Sequence, residues 1–402
     1  VEDDAVGSTS WLPQMNRRKA STLIATALTA AGAAILTVAK GGHEIPVYPS
    51  YYPHEIELAA VTQERASELL PAGKIHAYVG AAPRFTETPP ASIDSIESLG
   101  SFVIIRINPL SPRARDEQSV CAISDSVIRD LAGKSPAFTL HPYPVTPFHG
   151  DYLEHVDLAE AAKARILGGR ADLPASAPAD LKVKADSDFA RALVRPAWRA
   201  HGAEWDVEIT QVGAAELVSG VATATNGWLG PARLKTGWFH AYLLLGKHAA
   251  NGDARQRVEA QVRRLESSNY DTPVERINLA RSLVTTLVAS CRVRVAGYTA
   301  KREYFSTTFA AGIENIGYDS ITGFNSPTFV RTVKLRDFPW NGWLALGIDA
   351  APAAAWNPIA GFTDDFGRLM WSAVGDPASI PSPYDGTWMF NRVSGVQSSA
   401  KQ

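Results

Sequence analysis

The stretch HPYPVTPFHGDYLEHVD, residues 141–157, gathers three histidines, two aspartates and one glutamate around three prolines. Neutral imidazoles together with a carboxylate form the donor set that suits zinc, copper or non-haem iron. Gly150-Asp151 closes the loop, and Asp151 is a suitable N-cap for a helix starting near Tyr152. That places His155 on the first turns of the helix and His149 just before it. His149, Asp151 and His155 are therefore the first candidate ligands. His141 has to fold back over Pro142, Pro144 and Pro147, which stiffen the loop and lower the entropy cost of ordering it. Glu154 is the candidate catalytic base or a group that supports the ligands. With one coordination position open, such a centre would serve a metal-dependent hydrolase or oxidoreductase. The structural alternative gives the same residues other work: Asp151 caps the helix, and the histidines satisfy loop carbonyls or face water. Direct contact with a ligand, without metal, is a third role. His43 and His54 are more distant additions to the ligand set.

A second candidate surface is aromatic. Trp340, Trp343 and Trp356 stand among Pro, Asn and Gly in DFPWNGWLALGIDAAPAAAWNPIAGF (337–362), and NGWLGPARLKTGW (226–238) holds Trp228 and Trp238 in similar company. Tryptophan in rigid loops offers a large contact area with few rotamers to freeze, which suits a partner interface or sugar stacking, and it also suits the membrane interface. A packed core with tight turns is the alternative. Nine of the ten tryptophans follow residue 190, whereas six of the nine histidines precede residue 160, so the two halves are built from different materials.

Several enzyme classes have no signature here. The sequence has no C-x-x-C-H and so no covalent c-type haem, no H-E-x-x-H, no G-x-G-x-x-G, no Walker loop and no G-x-S-x-G. A formal net charge of -2 gives no electrostatic case for nucleic acid.

What would position these residues begins with the N-terminus. Arg17, Arg18 and Lys19 precede twenty uncharged residues, 20–39, long enough as a helix to cross a bilayer. The basic cluster predicts residues 1–19 as a cytoplasmic tail, with the body outside the bacterial inner membrane, on the periplasmic side. Residues 20–39 read as a signal anchor, or as a signal peptide cleaved after Ala39. Cys121 and Cys291 are the only cysteines. Export would permit a disulfide between the halves, but Cys291 falls on the apolar stripe of an expected helix, which favours buried free thiols.

Residues 40–167 alternate helix and strand patterns, with a helix from HEIELAAVTQERASELL, strands at 74–80 and 102–110, and helices at 119–133 and through DLAEAAKARILGG. Residues 64–80, ERASELLPAGKIHAYVG, have a passing likeness to a helix-then-strand passage of bacterial solute-binding proteins, over less than a twentieth of the chain and without a diagnostic residue. Residues 168–186, rich in Gly, Pro and Ala, read as a linker or long loop. In 187–402, WDVEITQVG alternates, with Glu204, Asp206 and Glu208 expected on a solvated face. DARQRVEAQVRRLE and the capped TPVERINLARSLVTTLV predict a helical hairpin. The remainder, including TFVRTVKL, reads as strands and loops.

The expected fold class is α+β: a mixed α/β first half, then a strand-, loop- and Trp-rich second half containing the hairpin, all preceded by one transmembrane or signal helix. The expected function is a membrane-anchored accessory or binding subunit that docks a protein partner of an envelope complex, or a ligand, through its Trp-rich loops. The metal-dependent enzyme and the tethered solute-binding protein are its alternatives.

Overall fold

The computed structural model describes residue 53 and residues 55–168, 178–225, 231–248, 252–308, 312–336, 342–353, 364–375 and 377–395. Residues 51–402 cluster as one compact unit. The tail and the apolar segment 20–39, together with His43, His54, Trp228, Trp340 and Trp356, lie outside the described residues. Among the described residues no helix is long and apolar enough to cross a membrane.

The architecture is mixed α/β around a large mixed sheet. Its strands are β1 (Glu55–Ala60), β2 (Ala77–Val79), β3 (Ile93–Ile107), β4 (Thr139–Leu140), β5 (Val183–Ala185), β6 (Val207–Gly213), β7 (Val293–Ser306) and β10 (Trp343–Ile348). They run in the order β1-β10-β2-β7-β3-β6-β5, with β4 added to β7. β1, β10 and β2 are mutually parallel, as are β5 and β6, while β7 is antiparallel to β2, β3 and β4. Two ribbons, β8 (Ile313–Glu314) with β9 (Lys334–Leu335) and β11 (Ser379–Pro381) with β12 (Trp388–Phe390), stand apart. The sheet takes strands from both sides of 168–186, and part of that expected linker, β5, is itself a strand.

Alternation along β3 decides the packing, because successive side chains point to opposite faces. Val103, Ile105 and Ile107 bury against α2 (Glu117–Leu131) and α4 (Asp188–Leu193) on one face. Phe102 and Ile104 bury on the other, against α6 (Gly237–Leu245), α7 (Gly252–Glu266) and α8 (Pro273–Leu287). Between these lie α3 (Val156–Gly168), before β5, and α5 (Ala214–Thr225), after β6. A third cluster packs α9 (Pro327–Thr332) and α10 (Asp365–Val374) on β10 and β2.

The hairpin forms as its pattern predicts. Ala254, Val258, Val262 and Leu265 are buried along α7. Thr272 caps α8 by accepting from the Glu275 amide at 3.1 Å, and Glu275 accepts from the Asp271 amide at 2.7 Å. Val274, on the expected stripe, is exposed instead. The apolar run 237–248 is a buried helix, α6, extended by a 3₁₀ turn.

Four expectations are corrected. Glu55–Ala60 is a strand paired with β10, and α1 (Gln63–Leu69) begins only after its cap Thr62. TFVRTVKL is mostly the helix α9, capped by Ser326 with Pro327 at its first position. Asp206 and Glu208 are buried: Glu208 pairs with Arg106 and Lys184, and Asp206 accepts from Ser111 Oγ and the Lys182 amide. Cys121 and Cys291, 170 positions apart in the sequence, form a disulfide with Cα atoms 4.9 Å apart. Cys291 follows the end of α8 and so is free to reach α2.

Candidate functional site

The histidine-rich loop leaves β4 and runs beneath α6 to a 3₁₀ turn, Tyr152–Glu154. Its polar side chains are almost all buried, and their partners are internal. The Thr146 amide donates to His149 Nδ1 at 2.9 Å, which leaves the ring proton on Nε2. His149 Nε2 donates to His240 Nδ1 at 3.0 Å, and His240 Nε2 donates to the Leu234 carbonyl at 2.7 Å. Each step fixes the tautomer of the next, so both rings are neutral and all four nitrogens are used. Burial holds His240 at about 4, and burial followed by the His240 ring holds His149 well below the usual histidine range. His240, on α6, had no signal of its own in an apolar run.

His141 donates through Nε2 to the Val145 carbonyl at 2.8 Å, closing the proline-rich loop on itself. His155 Nδ1 lies 2.9 Å from the Tyr143 hydroxyl, and its Nε2 is buried with no partner among the described residues. Burial, then the Arg281 charge, lowers His155 to about 4.

Asp151 does not cap the turn that it opens. Its carboxylate accepts from the Gly237 amide at 2.7 Å and the Trp238 amide at 3.2 Å, and so caps α6 from 86 residues away. Burial raises its pKa to about 6 even though these amides favour the charged form. Glu154 pairs with Arg276 of α8, and its backbone carbonyl accepts from Arg281, which also grips Asp157 through two bonds of 2.7 Å. The sequence brings the expected ligands together, and the fold engages donor atoms of His141, His149 and Asp151 in internal hydrogen bonds while His155 Nε2 has none among the described residues. Among the described residues, one grouping of three ligand types has its atoms mutually within 4.8 Å: Glu117, Cys121 and Cys291, where both sulfurs are already bonded to each other.

Beside this wall opens a cleft of about 650 Å³ between the loop, the turn before α6, the α7–α8 hairpin and the β11–β12 ribbon. Glu154, Glu266 and Asp385 bring carboxylates to it, and Arg233 and Arg276 bring guanidinium groups. Trp238 and Trp388 also line it. Arg233 Nε lies 3.3 Å from Glu266 Oε1 but out of hydrogen-bond alignment, and Glu154 Oε2 is likewise buried without a hydrogen bond. Of the two described candidate tryptophans, Trp238 is buried at the start of α6 and reaches the cleft. Trp343 stands at the start of β10, 72% exposed and not among the cleft residues.

No family model matches the chain, and no curated protein matches it. Among solved structures it is similar to an ABC transporter substrate-binding protein from Sinorhizobium meliloti (12% identity, TM-score 0.38, 64% of this chain and 58% of that one). It is also similar to the oligopeptide-binding protein AppA from Bacillus subtilis in complex with a nonapeptide (11%, 0.37, 68% and 58%). A third is NikZ from Campylobacter jejuni in complex with Ni(L-His) (10%, 0.33, 63% and 56%). The chain thus spans less than two-thirds of the length of these structures. At this level of likeness, the side chains around the cleft are what bear on function.

Proposed function

We propose that the protein is an extracytoplasmic binding protein that takes a polar solute carrying both charges, such as an amino acid or short peptide, in the cleft beside α6. One observation carries this reading: the cleft is lined by two guanidinium groups and four carboxylates, of which Asp151 is engaged by the α6 amides, and two of the lining residues carry a buried polar atom without a hydrogen bond, Glu154 Oε2 and Arg233 Nε. Its size and its few convergent polar groups suit a small ligand, and Trp238 and Trp388 supply apolar surface beside them. His149 and His240 have both ring nitrogens engaged in internal bonds. The Cys121–Cys291 disulfide supports an oxidising compartment, and residues 20–39 serve as export signal or anchor.

Thermal denaturation of the purified chain against panels of amino acids, di- and tripeptides, sugars and simple anions tests the reading. Zwitterionic solutes are expected to raise the melting temperature, and Arg233→Gln and Glu154→Gln to remove the effect. A panel without response, or responses that both variants leave unchanged, would sink it. A second reading, docking of a protein partner, draws on the exposed Tyr384, Trp388 and Phe390 of the β11–β12 ribbon. Cross-linking in membranes that yields no adduct from this ribbon would count against it.

A further inference from the structure

A second cavity, of about 260 Å³, lies away from the cleft, between α3, the loop after β4, the ends of α6 and α8, and the start of β7. Most of its wall is apolar, with Ala162, Leu245, Val288 and Val293 among the lining residues, and two arginines, Arg165 and Arg294, also line it. Because β4 pairs with β7 only at Gly297 and Tyr298, the strand has β3 on one side at Val293–Val295 and this cavity at its other edge.

Arg294 is the unusual member. It is 95% buried, being 5% exposed, in the middle of the fold. Its Nη1 pairs with Asp125 and donates to Ser124 Oγ at 3.3 Å, but Nη2 is buried without a partner among the described residues. Arg165 is exposed and has no ion pair among the described residues. Asp125 balances one of the two positive charges, so the pair retains one. A guanidinium group presents its donors in a fixed fork that matches a carboxylate, and an unmade bond to a buried charge is costly.

We propose that this cavity is a binding site for an apolar monocarboxylate, its carboxylate held between Arg294 Nη2 and Arg165 and its hydrocarbon part among Ala162, Leu245 and Val288. The charge arithmetic asks for one negative charge, and the wall asks for a tail rather than a hydrated ion. The site is independent of the cleft, and it shares no lining residue with it.

Calorimetric titration of the purified chain with hexanoate, hexanol and inorganic phosphate tests the assignment. Hexanoate is expected to bind saturably, about tenfold or more tighter than hexanol, the difference a charged hydrogen bond makes. Phosphate is expected to bind weakly or not at all. Arg165→Gln on the surface should weaken hexanoate about tenfold, and Ala162→Phe should abolish binding by filling the cavity. Because Arg294→Met alone would strand Asp125, the double variant Arg294→Met/Asp125→Leu serves as the internal test, and it should bind hexanol as well as hexanoate. Hexanoate that binds no tighter than hexanol, phosphate that binds as tightly as hexanoate, or hexanoate binding unchanged in Ala162→Phe would each overturn the proposal.

Discussion

Mild acid should destabilise this protein, and its buried histidines set both the sign and the size of the effect. His155 and His240 are each held at about 4 in the fold, against 6.5 when free. A group whose folded pKa is depressed contributes stability above its unfolded value and loses it as pH falls through the folded value. At about 1.4 kcal/mol per pH unit, the two rings together lose about 7 kcal/mol between neutrality and pH 4. Asp151 acts in the opposite sense. Its folded value of about 6 lies above 3.8, so its contribution is present below pH 3.8 and is lost as pH rises through 6. Acidification therefore returns about 3 kcal/mol, which leaves a net loss of about 4 kcal/mol. His149 and His141 are shifted downward by burial and add to the loss. By pH 5.5 the three valued groups give a net loss of about 2 kcal/mol, which corresponds to about 0.7 M in the urea midpoint at an m-value of about 3 kcal/mol/M. In His240→Asn, which cannot titrate, the loss between pH 7 and 5.5 should shrink by about 1.4 kcal/mol. A midpoint that is unchanged or rises on going to pH 5.5, or an identical loss in the variant, would refute the reasoning.

The other consequences concern single contacts. Asp151→Ala should cost about 2–4 kcal/mol at pH 7, because two helix amides lose their acceptor, and should steepen the acid dependence; urea midpoints at two pH values check both parts. Reducing the Cys121–Cys291 bond, which closes a separation of 170 residues, should cost up to about 5 kcal/mol by the chain-entropy argument. A shift in midpoint of less than about 1 kcal/mol with reductant would show that the link constrains little. Gly237→Ala should destabilise by about 1–3 kcal/mol, because its new methyl would lie 2.3 Å from Val145 Cγ1, and Val145→Ala in the same chain should recover part of that.

Patterns that depend on one element were legible in the sequence. The stripe Ala254–Val258–Val262–Leu265 and the Thr272–Pro273–Glu275 cap carry their instructions locally, and the hairpin forms as they dictate. Glu55–Ala60 did not, because its strand state comes from parallel pairing with residues near 343, almost three hundred positions away. The same holds at the site. The clustering of His141, His149 and His155 was visible, but not what they would bond. His149 finds His240 from an apolar helix 91 residues later, and Asp151 finds the amides of α6 rather than those of the turn that it opens. Histidine and aspartate are equally good at closing buried hydrogen bonds and at holding ions. Only the tertiary partner decides between the two, and spacing does not encode it.

The buried polar chemistry of 141–155 makes sense as construction of a wall. Three contacts of different kinds join the loop to α6: the Asp151 carboxylate on its first amides, Val145 against Gly237, and the His149–His240 bond. Arg276 and Arg281 then tie the end of the same loop to α8 through Glu154 and Asp157. Each tie alone leaves the loop a hinge; together they fix position and rotation, so Glu154 and Trp238 are presented to the cleft from a rigid side. The opposite side is built differently. The β11–β12 ribbon leaves Tyr384 and Phe390 more than half exposed and Trp388 nearly so. It is anchored where Lys235 donates to the Ser382 carbonyl, where the Ser320 amide donates to the Pro383 carbonyl at 3.0 Å, by buried Ile380, and where the Gly150 backbone leaves room for Asp385. If the cleft takes an occupant as proposed, the ribbon, with its exposed Tyr384 and Phe390, is the side of the cleft opposite this braced wall. Under the proposed function, the histidines would serve binding by bracing this wall.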